Sequence, residues 1–161
     1  MRYLRTVGMV FAADILALFI SLTLAGSSLW LIKVVSAVCG AGILIIIMSS
    51  FCIKTAAEDC RLERTGEGSG GTLTGILMGL SASAPGLLSW GALALSVKNG
   101  FEFYRWHKLL NGFFLQIFNF IESDASSSAL EMGEVLVVGP LAIVPGLITA
   151  AVYIGALRKS K

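Results

Sequence analysis

Four stretches of this chain are too long and too apolar to belong to a fold surrounded by water. They cover roughly residues 4–24, 29–53, 73–97 and 135–157. Each is long enough for the ~20 helical residues that cross a hydrocarbon core of about 30 Å. Within lipid every backbone N–H and C=O must be paired inside the segment, so each run reads as a helix. Even Ile43-Leu44-Ile45-Ile46-Ile47, β-prone in water, falls under that constraint. The composition agrees, with 56% hydrophobic and 14% charged residues and a mean hydropathy of +0.85. Soluble domains carry about a quarter charged residues. The expected fold is all-α: one polytopic membrane domain over residues 1–161, with four transmembrane helices and the lipid bilayer as its surroundings.

The basic residues orient these spans. Arg2, Arg5, Lys54, Arg61, Arg64, Arg158, Lys159 and Lys161 fall on one side, which is eight of the twelve Lys and Arg. Lys33, Lys98, Arg105 and Lys108 fall on the other. The bias predicts that both termini are cytoplasmic. The first run carries Arg2 and Arg5 ahead of it and Leu24-Ala25-Gly26 behind it, as a secretory signal would. Its apolar stretch is longer than a signal core and holds Asp14, so it reads as an uncleaved helix in a tight hairpin with the second run.

Between the third and fourth runs lies an amphipathic segment over residues 101–121, FEFYRWHKLLNGFFLQIFNFI. Trp106, Leu109, Leu110, Phe113, Phe114, Ile117 and Ile121 follow helical spacing, opposite a stripe of Arg105, Lys108, Gly112, Gln116 and Asn119. Its uncharged part, residues 109–121, reaches only about 20 Å as a helix. A fifth crossing would also reverse the side of the C-terminal basic residues. The segment is therefore expected to be an interfacial or re-entrant helix, its apolar arc toward lipid, with Tyr104, Trp106 and Trp30 at the aromatic belt. After it, Ser128-x-x-Glu131 reads as a capping box that starts the fourth helix ahead of the membrane. Thr65 to Gly71 reads as a glycine-rich linker, since it lacks the GK[ST] ending of a phosphate loop.

The span with Gly75-x-x-x-Gly79 and Pro85, the Leu109-Leu110-Asn111-Gly112-Phe113-Phe114 segment, and the final Pro145…Tyr153-Ile-Gly155 helix together resemble a group of small four-span bacterial membrane proteins with no assigned activity. The resemblance implies a bacterial cell membrane and carries over no site.

Asp14 is the sharpest candidate for function. Ten residues past Leu4, it lies about 15 Å deep, where an Asp costs about 2.5 to 3.5 kcal/mol on insertion scales. An acid at that depth is a candidate proton or cation carrier. Its bland reading is a hydrogen-bonded packing residue with Ser36, Cys39 or Ser83 as partner. Pro85 and Pro145 are candidate kink sites that free the carbonyls of Ser81 and Leu141, with the Ser81 or Ser83 hydroxyl to satisfy them. Small residues recur every fourth position, at Ala13, Ala17 and Ser21, at Gly71, Gly75, Gly79 and Ser83, and at Ala142, Gly146 and Ala150. Such ridges let helices approach closely, within the monomer or in an oligomer.

Several functions are excluded or disfavoured. A net charge of +2 without a concentrated basic face argues against nucleic acid. Cys39, Cys52 and Cys60 form no CxxC, and the one histidine, His107, lies far along the chain, so no zinc site or disulfide framework is expected. No catalytic residue, cofactor-binding motif or metal-ligand set is legible, and no Ser/His or paired-Asp set is expected at a common depth. The expectation is a non-enzymatic subunit or accessory factor of a membrane assembly, with a membrane-protein partner or further copies of itself. The alternative is a small solute or ion transporter with Asp14 as the coupling residue. The four-span layout with an early acid is similar to that of small multidrug resistance transporters, but the chain is longer, the acid is Asp rather than Glu, and the motif around that Glu is missing.

Overall fold

The computed structural model describes residues 2–24, 29–66, 70–124 and 126–160. The connection at residues 25–28 and residues 67–69 of the glycine-rich linker lie outside the described residues. Helix α1 (Arg2–Leu24) is followed by α2 (Trp30–Thr65) and α3 (Thr72–Asn99). A short pair, α4 (Tyr104–Leu110) and α5 (Leu115–Ile121), flanks a 3-10 turn at Gly112–Phe114. The last span combines α6 (Met132–Val138), a 3-10 stretch (Gly139–Ile143) and α7 (Val144–Ser160). Among the described residues there is no strand. The chain is an all-α polytopic membrane protein with four helices long and apolar enough to cross a bilayer.

The spans run beyond the apolar runs at their ends. Helix α2 continues past Ile53 to Thr65, a length of about 54 Å, because Lys54 to Thr65 is a mixed-charge helix former that water solvates. It stops where Gly66, at φ 76°, takes the left-handed position that ends helices at low cost. Gly100, at φ 75°, ends α3 in the same way. The capping box at the head of α6 is built from Glu131 and Glu134, not from Ser128 and Glu131 as the spacing suggested. Ser126 caps the preceding 3-10 turn through Ser128, which leaves Glu131 to start the helix.

The four spans form a ring in which α1 packs on α2 and α3, and α7 packs on the same two. Small-residue ridges make these contacts. A Cβ at Gly79 would lie 2.7 Å from the Gly146 carbonyl oxygen, and one at Gly75 would lie 2.8 Å from the Tyr153 ring. Ala13, Ala17 and Ser21 are buried likewise. The ridges are thus used within the chain. Large apolar side chains point outward instead, with Leu88 76% and Ile46 69% exposed, as a lipid-facing surface allows.

Span four covers α2 only in the half nearest the termini, where Tyr153 meets Asp59 and Leu157 meets Cys60. In the other half the hairpin of α4 and α5 occupies that place. Its turn packs on both α1 and α2, and a Cβ on Gly40 would lie 2.7 Å from the Phe113 carbonyl oxygen. Gly40 is ten residues past Trp30, so the turn lies about 15 Å along α2. In a bilayer crossed by these spans the segment is re-entrant rather than interfacial. Phe113, Phe114 and Phe118 join Val10, Leu44 and Leu93 in the core.

That burial corrects the expected facing of the segment. Lys108, Gly112 and Gln116 of its polar stripe are buried in protein, and so is Phe113 of its apolar arc. These three stripe residues point inward, where hydrogen-bonding partners are available that lipid does not offer, while Arg105 at the start of the stripe stays exposed. Trp106, Leu109, Leu110 and Phe120 form the exposed side.

Candidate functional site

Asp14 is the thirteenth of the 23 residues of α1 and only 4% exposed. Its Oδ1 accepts the backbone N–H of Gly112. This is the leading N–H group of the 3-10 turn, which has no partner within its own helix. A carboxylate suits it, since it is a strong acceptor and is attracted to the positive end of a helix. A Cβ at Gly112 would overlap the Leu18 side chain, which would have to move to admit it.

None of the three partners expected from the sequence bonds to Asp14. The Ser36 hydroxyl donates to Ser21 at 3.3 Å, the Ser83 hydroxyl donates to the Ile143 carbonyl at 3.2 Å, and Cys39 is exposed. Those residues come from neighbouring spans, whereas the actual partner comes from the fold-back of residues 101–121, whose depth the sequence did not reveal.

The rest of the hairpin is satisfied in the same manner. The Asn111 amide donates to the His107 carbonyl at 3.0 Å, bridging the break between α4 and the turn. Lys108 Nζ donates to the carbonyls of Glu122 (2.8 Å) and Asp124 (2.9 Å) and to Asn119 Oδ1 (3.0 Å). It is a cation at the negative end of α5, and it lies 4.3 Å from the Tyr104 ring centre. Burial pushes the Lys108 ammonium below the usual lysine range, opposed by the Glu122 and Asp124 carboxylates. At the mouth, Ser127 Oγ accepts the N–H groups of Phe103 (2.8 Å) and Tyr104 (2.9 Å).

A serine and a histidine do meet, contrary to the expectation from spacing. Ser89 Oγ of α3 lies 2.8 Å from His107 Nδ1. Ser89 is 4% and His107 1% exposed, and His107 Nε2 has no partner among the described residues. Serine as nucleophile and histidine as base need that distance, but a substrate carbonyl also needs room beside the hydroxyl. The pair is closed off, and its geometry is that of a packed interhelical hydrogen bond.

No family model matches this chain, and neither does any curated protein or solved structure.

Pro85 lies inside α3, which continues through it. Pro145 lies in the first turn of α7, behind the 3-10 stretch that contains Pro140. The Leu141 carbonyl, which Pro145 cannot bond, takes the Val144 N–H instead. Ser83 serves the Ile143 carbonyl rather than Leu141, and Ser81 bonds back to Leu77 at 2.9 Å. The three cysteines are free thiols, and no group of three His, Cys, Asp or Glu suited to a metal occurs among the described residues.

One cluster had no signal in the sequence. Near the termini Asp59 Oδ2 accepts Arg2 Nη1 at 2.7 Å and the Tyr153 hydroxyl at 2.5 Å. Arg2 thereby ties the start of α1 to α2, beyond its part in the charge bias. The three residues are 57 and 94 positions apart, too far for any local pattern.

Proposed function

We propose that this protein is a non-enzymatic subunit or accessory factor of a membrane assembly in the bacterial cell membrane, with both termini cytoplasmic. The observation that carries this reading is the engagement of the Asp14 carboxylate by the Gly112 amide. The mid-membrane acid holds the re-entrant hairpin in place, so the ionisable group best placed for transport already has a structural task. The outer surface then remains for function. An open apolar groove of about 260 Å³ between α3 and α7, walled by the exposed side chains of Ile76, Leu80, Ile143 and Leu147, offers a partner helix an apolar seat.

Purification from native membranes in mild detergent tests the assembly. A second polypeptide at fixed stoichiometry is expected with wild type. It should be lost in Leu147→Trp, which fills the groove, and kept in Ile46→Trp on another lipid face. A chain that purifies alone in all three forms would oppose the reading. Orientation is tested with reporter fusions: after Ala25 and near Ser126 they should read outside, and after Gly70 and Lys161 inside.

A transporter is the second reading, favoured by one observation. Asp14 meets an interrupted re-entrant segment at mid-depth, the kind of place where transporters hold ions and anionic groups. On that reading purified protein releases protons when a substrate is added, and Asp14→Asn abolishes the release while leaving the bundle folded. Absence of release across cationic and anionic panels removes its support.

A further inference from the structure

At the mouth of the hairpin, just past the end of α3, a cleft of about 370 Å³ is lined by Glu102, Arg105, Trp106, Asp124 and Ser126. Its volume falls in the range of ligand pockets, about 300 to 1,000 Å³. Its position is at head-group level: Glu102 is three residues past Asn99, where the third span ends.

One wall is fixed in advance. Glu102 Oε1 accepts the Ser126 hydroxyl at 2.8 Å and Oε2 accepts the Ser127 N–H at 2.7 Å, pinning the loop to the start of the hairpin. Asp124 Oδ1 accepts the Ser126 N–H at 3.3 Å from the same loop. The facing wall is Arg105 and Trp106 of α4, both exposed. Arg105 forms no ion pair among the described residues, although two carboxylates share its cleft.

The mixture of charges decides the ligand class. An anion would meet Glu102 and Asp124, and a simple cation would meet Arg105. A zwitterion pairs both: its phosphate with the guanidinium, which is built for phosphate oxygens, and its cationic end with the carboxylates. A primary ammonium suits better than a quaternary one, because it brings three N–H donors. Each Glu102 oxygen has one further lone pair beyond the bond it already accepts. Trp106, 58% exposed, stands where indoles settle at the membrane surface.

We propose that this cleft binds the head group of a phosphatidylethanolamine lipid, a phosphodiester that carries a primary ammonium. Native mass spectrometry of the detergent-solubilised chain tests it, with phosphatidylethanolamine, phosphatidylcholine and phosphatidylglycerol of identical acyl chains offered together. Wild type is expected to retain one phosphatidylethanolamine about tenfold more tightly than the other two, the scale of one charge-assisted hydrogen bond. Arg105→Ala, an exposed truncation, should weaken phosphatidylethanolamine and phosphatidylcholine together. Glu102→Gln keeps an acceptor for Ser127 and a donor for Ser126, and should erase the preference between those two lipids. Equal retention of all three by wild type would overturn the proposal, and so would undiminished phosphatidylethanolamine in Arg105→Ala. Binding of glycerophosphoethanolamine as tight as that of the intact lipid would assign the site to a soluble zwitterion and overturn the lipid assignment.

Discussion

The Asp14 carboxylate accepts the backbone N–H of Gly112, 98 residues away, and so fixes the tip of the re-entrant hairpin against the middle of α1. Two costly features thereby cancel. An acid at mid-depth needs hydrogen-bond donors, and the leading amides of a buried helix need an acceptor. Removing either partner leaves the other exposed to an apolar medium. That sets the expected outcome of substitution at position 14. Asp14→Ala orphans the Gly112 amide and is expected to cost about 1 to 3 kcal/mol. Asp14→Asn keeps an acceptor oxygen and should cost less, losing only the charge assistance. Thermal unfolding in detergent ranks the three proteins. Equal stability of Asp14→Ala and wild type would show that the carboxylate does not hold the hairpin.

Gly40 and Gly42 are two positions apart on α2, but only Gly40 faces the hairpin. A Cβ on Gly40 would lie 2.7 Å from the Phe113 carbonyl oxygen, a backbone atom that cannot rotate away, whereas one on Gly42 would meet nothing within 4 Å. Gly40→Ala should therefore destabilise by about 1 to 3 kcal/mol, as overpacking does. Gly42→Ala should be neutral or slightly stabilising, since alanine favours the helix. Equal melting temperatures for the two variants would mean that the turn does not pack on α2.

The depth of the hairpin can be read directly. Leu110 is two residues from the tip and 38% exposed, so a spin label on a cysteine there reports the surrounding medium without disturbing the core. Oxygen is expected to relax it strongly and a water-soluble nickel chelate weakly, as at the interior of a bilayer. Head-group-level values would place residues 101–121 on the membrane surface.

The Ser89–His107 pair yields a prediction of inertness. With Ser89 4% and His107 1% exposed, a fluorophosphonate probe has no approach to the hydroxyl. Purified protein in lipid nanodiscs should show no labelling. Labelling that disappears in Ser89→Ala would make the chain an intramembrane hydrolase and displace the subunit reading. Ser89→Ala should by itself lower stability modestly, because it leaves both His107 ring nitrogens without a partner.

What the sequence determined by itself was everything that depends on solvent. Run length and apolarity set the four spans, because lipid permits only segments that pair their own backbone. Asp14 stood out for the same reason, as a charge where charge is costly. The small-residue ridges were legible too, since helical spacing alone puts Gly75, Gly79 and Ser83 on one face. The tertiary structure decided who meets whom. Residues 101–121 have a polar stripe whose facing cannot be read from periodicity. Water and buried polar partners both satisfy such a stripe, and only the fold supplies Ser89, Asp14 and the loop carbonyls that turn it inward. Asp14 with Gly112, Ser89 with His107, Arg2 with Asp59, and Asp59 with Tyr153 are 98, 18, 57 and 94 positions apart, respectively. Local spacing carries no information over such separations, because they are closed by the packing of whole helices rather than by the geometry of one.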